Sequence, residues 1–142
     1  ETVASIKLAN KLQTAVANKE ENDDNDDHQA KLKVYVQVNT SGEDSKSGVP
    51  PDQALDLCRH VVNECPRLQL QGLMTIGAVG DTTCFDTLRE LRDEIAPQLP
   101  PSVSSSLGLS MGMSGDFQEA IRAGATNVRV GSTIFGARDY SK

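Results

Sequence analysis

The sequence predicts an α/β fold in which parallel strands alternate with helices, laid out as one half of a βα barrel. Two observations predict it. Along the chain, apolar residues repeat in turn every two positions and every three to four, the periods of strand and helix. Such regular alternation marks βαβ units and a parallel sheet. The second observation is length. The 142 residues hold a leading helix, three strand–helix pairs and a last strand, whereas a whole barrel takes about 250 residues. The crossovers are expected to be right-handed.

Residues 3–18 read as the leading helix, with Leu8, Leu12, Ala15 and Val16 on one apolar face. KEENDDNDDHQ, residues 19–29, then gathers six of the 20 acidic residues. Its like charges repel and it has nothing to bury, so about 20–30 is expected to be a mobile surface loop. In KVYVQVNTSG, Val34, Val36 and Val38 alternate with Tyr35, Gln37 and Asn39, the two-residue period of a strand. Pro50 and Pro51 open the next helix, because proline is tolerated in a first turn. Its buried face is Ala54, Leu57, Cys58, Val61 and Val62, and Pro66 marks its stop. LQLQGLMTIGAVG, 68–80, is the second strand. CFDTLRELRDEIA, 84–96, is a helix with Phe85, Leu88, Leu91 and Ile95 inward, ended by Pro97, Pro100 and Pro101. SLGLSMGM, 106–113, is the third strand. SGDFQEAIRAG, 114–124, is a short helix with Ser114 as its N-cap and Gly124 as its stop. NVRVGSTIFG holds the fourth strand and its turn.

Composition narrows the function classes. A net charge of −6 and a pI of about 4.8 argue against nucleic acid or an anionic membrane as the main partner, since both need clustered Lys and Arg. No apolar run approaches the roughly 18 residues of a membrane span, and the first residues do not resemble a signal peptide. Three cysteines without a C-x-x-C, and two histidines in unrelated contexts, suggest neither a disulfide framework nor a metal site. A reducing intracellular compartment fits that cysteine usage.

In parallel α/β folds ligands gather at the carboxyl ends of strands. Two such ends here, MGMSGD and RVGSTIFG, are rich in glycine and serine. Glycine lets the backbone approach an anion, consecutive N–H groups form a nest, and serine adds donors. Either loop alone is more often only a turn; in consecutive units a phosphate site and a pair of plain turns suit them equally. Arg129 alternates with Val128 and Val130. With the valines toward the helices it faces the barrel interior, where an unpaired charge is costly. Two partners suit it: an anionic ligand, or an ion pair with Asp116 or Asp139. Gln37 and Asn39 share that face and suit a ligand or a solvated strand end equally. Lys46 is an anion contact or a solvated loop residue. Met74, Met111 and Met113 line a pocket or fill the core.

VQVNTSGEDSKSG, LQGLMTIG, LSMGMSGDFQEAI and GATNVRVGSTIFGARDY, in this order, resemble the pyridoxal-phosphate homeostasis family, the YggS/PROSC-like or proline synthetase co-transcribed homologues. ETVASIKLANKL resembles the strand exit and helix that precede them. The resemblance implies the C-terminal portion of a fold-type III (β/α)8 TIM barrel, like the barrel domain of alanine racemase. It implies pyridoxal 5′-phosphate (PLP) as cofactor and an intracellular homeostasis or carrier role without established catalytic turnover. PLP-dependent apo-enzymes are the implied recipients, in the cytoplasm or, in a eukaryote, also the mitochondrion. Carried over by position, Ser114, Gly115, Gly131 and Ser132 resemble phosphate contacts, Arg129 the group facing the pyridine nitrogen, and Met74 a wall of the site. A guanidinium only donates, so the ring nitrogen it faces must accept and stay unprotonated, a weaker electron sink than a pyridinium.

One departure matters. The family's Schiff-base lysine ends the first barrel strand, and this chain starts after that point. None of Lys7, Lys11, Lys19, Lys31, Lys33, Lys46 and Lys142 stands in the matching context. The expectation is therefore no catalytic residue, PLP held non-covalently at most, and self-association through the open half-barrel. Two other readings stay open: a fragment of a fold-type III racemase or lyase, and a βα-barrel module for sugar phosphates.

Overall fold

Val34, Val36 and Val38 are buried along one side of a strand, and this alternation sets the architecture. In the computed structural model, which describes residues 2–21, 31–42, 47–78 and 80–136, five parallel strands form one sheet in the order β1-β2-β3-β4-β5. They are β1 (Thr2–Val3), β2 (Leu32–Gln37), β3 (Leu68–Met74), β4 (Gly108–Met113) and β5 (Asn127–Arg129). Between them run α1 (Ile6–Glu21), α2 (Ala54–Glu64), α3 (Thr83–Ile95), the one-turn α4 (Pro101–Ser104) and α5 (Phe117–Arg122), and after β5 comes the one-turn α6 (Ser132–Phe135). Each strand pairs with its sequence neighbour, as in a barrel wall. A single hydrophobic cluster joins the valines of β2 and Leu70, Leu73, Leu109 and Met111 to Ala9, Leu57, Cys58, Val61, Phe85, Leu88 and Ala120 of the helices. The core thus lies between sheet and helices.

Several expectations need correction. The sheet has a leading strand that the four-strand reading lacked: Thr2 and Val3 pair with Tyr35 and Val36. Two residues are too short for a period to show. The first helix starts at Ile6, with the Ser5 hydroxyl accepting the Leu8 N–H at 3.2 Å. Its buried residue is Ala9, with Leu12 and Val16 half-buried, while Leu8 and Ala15 are exposed. Polar contacts turn it this way. Gln13 Oε1 accepts the Arg67 N–H at 2.8 Å, and Asn10 Oδ1 lies 2.7 Å from His60 Nε2. Residues 20 and 21 continue the helix; the rest of the acidic stretch, like Lys46 and Asp139, lies outside the described residues. The fourth correction is at α5, which begins at Phe117 behind Asp116, so Ser114 does not cap it. Asp116 Oδ1 accepts the Met113 N–H at 2.6 Å.

Two irregularities re-aim side chains. Val34 pairs with Leu70 but Tyr35 pairs with Gly72, so Gln71 is an extra residue in β3. The bulge flips the alternation. Leu73 therefore joins the helix-side cluster and Met74, though buried, does not. In β4, Ser110 pairs with Asn127 and Met113 with Arg129, three residues against two. The kink sits at Gly112, whose φ of +88° and lack of a side chain let α5 approach; a Cβ there would lie 2.5 Å from that of Ala120.

Candidate functional site

Ser110 lies on β4 between Leu109 and Met111, which pack against the helices, so its hydroxyl emerges on the opposite face of the sheet. There Arg129 meets it. Arg129 Nη1 donates to Ser110 Oγ at 3.0 Å and Nη2 to the Thr75 carbonyl at 2.9 Å. The guanidinium thus faces away from the helix layer, as its alternation predicts, and reaches across the ends of β4 and β3. Its partners are neutral; among the described residues no carboxylate pairs with it, and Asp116 is occupied in its own loop. Burial pulls its pKa down, an effect the Asp116 charge partly offsets.

A second group of polar atoms forms beside it. Ser114, in the loop after β4, turns its hydroxyl to the start of α6, where Oγ accepts the Gly131 N–H at 3.0 Å and the Thr133 N–H at 3.3 Å. Thr133 Oγ1 donates to the Ser114 carbonyl at 3.4 Å. The two glycine- and serine-rich loops that the sequence singled out are therefore in contact. Ser132 is exposed at the first position of α6. A Cβ at Gly115 or Gly131 would meet nothing within 4 Å, so the space beside both is open. Met74 closes β3 on the same face as Ser110, its register partner.

The remaining candidates divide. Gln37 is buried and Nε2 donates to the Ser47 carbonyl at 2.7 Å, so it pins its own loop. Asn39 Oδ1 accepts Ser41 Oγ–H and the Gly42 N–H, both at 3.1 Å, which makes a local turn rather than an inward-pointing group. Met111 is core, and Met113 is half-buried. Cys58, Cys65 and Cys84 are buried free thiols. Among the described lysines, Lys7, Lys11 and Lys19 are exposed on α1, Lys31 is exposed just before β2 and Lys33 lies at its amino end; none stands at the carboxyl end of a strand. Concavities of about 710 and 430 Å³ lie along α1 and between α1 and α2, and neither includes Arg129, Ser114 or Met74.

Sequence reasoning missed Thr40, Thr75, Ser110 and Asn127. Thr40 and Thr75 share a hydrogen bond at 2.8 Å, and Ser110 Oγ donates to Asn127 Oδ1 at 3.2 Å. Ser110 had a signal, a lone polar position in the alternation of LGLSMGM. The threonines had none, since they follow strand ends and their pairing spans 35 residues.

The family model for the alanine racemase N-terminal domain matches residues 1–139. The chain belongs to that family. It is 45% identical over 148 aligned residues to the human pyridoxal phosphate homeostasis protein, covering all of this chain and 51% of that one. A crystal structure of an unknown protein from Bifidobacterium adolescentis matches with a TM-score of 0.79 and 39% identity, over 95% of this chain and 51% of that one. PipY of Synechococcus elongatus, solved with PLP bound, matches with a TM-score of 0.71 and 25% identity, over 94% and 58% of the respective chains. The alanine racemase family and the resemblance read from the motifs therefore agree, and the five-stranded sheet is part of the TIM barrel of that family. The chain spans about half the length of the curated relatives it matches.

Proposed function

We propose that this chain binds PLP as part of intracellular PLP homeostasis and carries out no catalytic turnover of its own. The observation that carries this reading is Arg129. It is a half-buried guanidinium that, among the described residues, is held by neutral acceptors, so it brings positive charge and further N–H donors to this face. A guanidinium has five donors, and the described residues take two of them. The cofactor fits what surrounds it. Arg129 takes the ring nitrogen, which must accept. The Ser114 hydroxyl proton, Ser132 and the amide of Gly115 take the phosphate in the open space beside Gly115 and Gly131, while the Gly131 N–H holds Ser114 Oγ in place. Met74 packs against the ring. The human relative's name and the PLP bound to PipY support the assignment.

When bound, PLP supplies a reactive aldehyde and an electron-withdrawing ring. The protein's part is to hold both ends and to keep the ring nitrogen unprotonated, which mutes carbanion chemistry. Hand-over to PLP-dependent apo-enzymes in the cytoplasm belongs to the same reading.

Titrating the chain with PLP tests it. Saturable binding is expected, weakened roughly tenfold or more by Arg129→Ala, which removes a charge-assisted hydrogen bond, and to a lesser extent by Ser132→Ala. No saturable binding, or binding indifferent to both substitutions, refutes it. The family match favours a second reading, part of a fold-type III racemase; amino-acid racemisation by the PLP-loaded chain would select that one.

A further inference from the structure

The direction of a guanidinium is set by what it leans on, and Arg129 leans on two groups that are themselves fixed. The first is Ser110, which is 4% exposed. Its single hydroxyl proton goes to Asn127 Oδ1 at 3.2 Å, which turns a lone pair toward Arg129 Nη1 at 3.0 Å. The second is the Thr75 carbonyl, 2.9 Å from Nη2. Thr75 is 1% exposed and tied on three sides. Its N–H donates to the Ser110 carbonyl at 3.2 Å, and its hydroxyl oxygen accepts the Gly77 N–H at 3.2 Å and shares a hydrogen bond with Thr40 at 2.8 Å. The fork is therefore gripped from β4 and from the end of β3, with its remaining donors aimed by that grip.

We infer that Ser110, held by Asn127, and Thr75 are positioning residues that aim Arg129 at the ring nitrogen of the ligand. They thereby make the site selective for an aromatic phosphate whose ring carries an in-plane acceptor. This rests on the PLP reading above. A guanidinium free to swing would contribute charge without direction, and would bind a ring with or without a nitrogen nearly alike. A guanidinium held in one plane discriminates between them, because a hydrogen bond depends steeply on angle.

The test compares PLP with its analogue in which a C–H replaces the ring nitrogen. The parent chain is expected to bind PLP roughly tenfold more tightly than the analogue, the worth of one hydrogen bond to a charged donor. Ser110→Ala and Asn127→Ala are expected to narrow that ratio about threefold or more, with affinity for the analogue unchanged. Asn127 is exposed, so Asn127→Ala carries the test if Ser110→Ala does not fold. Equal losses for both ligands, or a ratio that collapses in Arg129→Ala yet stays put in the two positioning variants, overturns the inference alone. No binding of PLP, or a ratio indifferent to Arg129→Ala, overturns the cofactor reading and this inference with it.

Discussion

Arg129 and Ser114 show how single residues tie together segments that lie far apart in sequence. Ser114 Oγ accepts two amide N–H groups from the start of α6, which joins the loop after β4 to the loop after β5. Gly131 has φ of −120°, a value any residue adopts, and a Cβ there meets nothing within 4 Å. Neither that φ nor the described surroundings demand glycine there; under the PLP reading proposed above, clearance for the phosphate does. Gly131→Ala is therefore expected to leave stability within about 0.5 kcal/mol of the parent and to weaken PLP binding, as urea unfolding and PLP titration on the same variant would measure. A large loss of stability would mean that the glycine serves the backbone instead.

At the scale of elements, the bulges decide what faces the site. The extra residue in β3 puts Leu73 into the helix-side cluster and Met74 on the other face. The kink at Gly112 lets α5 close on β4 and sets the loop that carries Ser114. Unlike Gly131, this glycine is required twice, by its positive φ and by the closeness of Ala120. Gly112→Ala is expected to destabilise the chain by about 2–3 kcal/mol, the combined effect of a strained backbone and an overpacked contact. A shift in the urea midpoint measures it. The capping of α5 carries a related lesson. SGDF reads as a helix start with Ser114 as cap, yet the helix begins at Phe117. Asp116 stands at the N-cap instead, its carboxylate turned to the Met113 N–H. Ser114 is drawn instead to α6, which it reaches only through the tertiary fold.

For the whole molecule, the buried Cys58 thiol makes stability depend on pH. Burial pushes Cys58 from its ordinary value of 9.0 up to about 12, because a thiolate there would lack water. A raised pKa means that the folded chain keeps a proton which the unfolded chain releases above about pH 9. The stabilisation is thus fully present below that pH and is lost as pH rises toward about 12. Unfolding free energy is expected to fall by about 1.4 kcal/mol per pH unit in that window from this group. Cys58→Ala should flatten the slope, as urea titrations at pH 8 and pH 10 would detect; an unchanged slope would assign the loss to other groups.

Much of this was legible in order along the chain. The buried faces of α2 and α3 follow from apolar spacing, since Leu57, Cys58, Val61, Phe85, Leu88 and Ile95 are all buried where the helical period puts them. The valines of β2 did the same with a period of two. Parallel pairing followed from the alternation of elements, and the resemblance of the motifs is met by relatives over the full chain. Periodicity carries these features because burial of one face is a property of each segment by itself. Other features needed segments distant in sequence to meet. The turn of α1 onto Ala9 depends on Gln13 and Asn10 finding Arg67 and His60, some 50 residues on. The grip on Arg129 joins residues 75, 110, 127 and 129. The sequence by itself therefore determined which residues are apolar and how often, hence the layers and the alternation of strands with helices. Only the tertiary structure decided which polar groups meet, because a hydrogen bond depends on distance and angle between atoms whose positions no local period encodes.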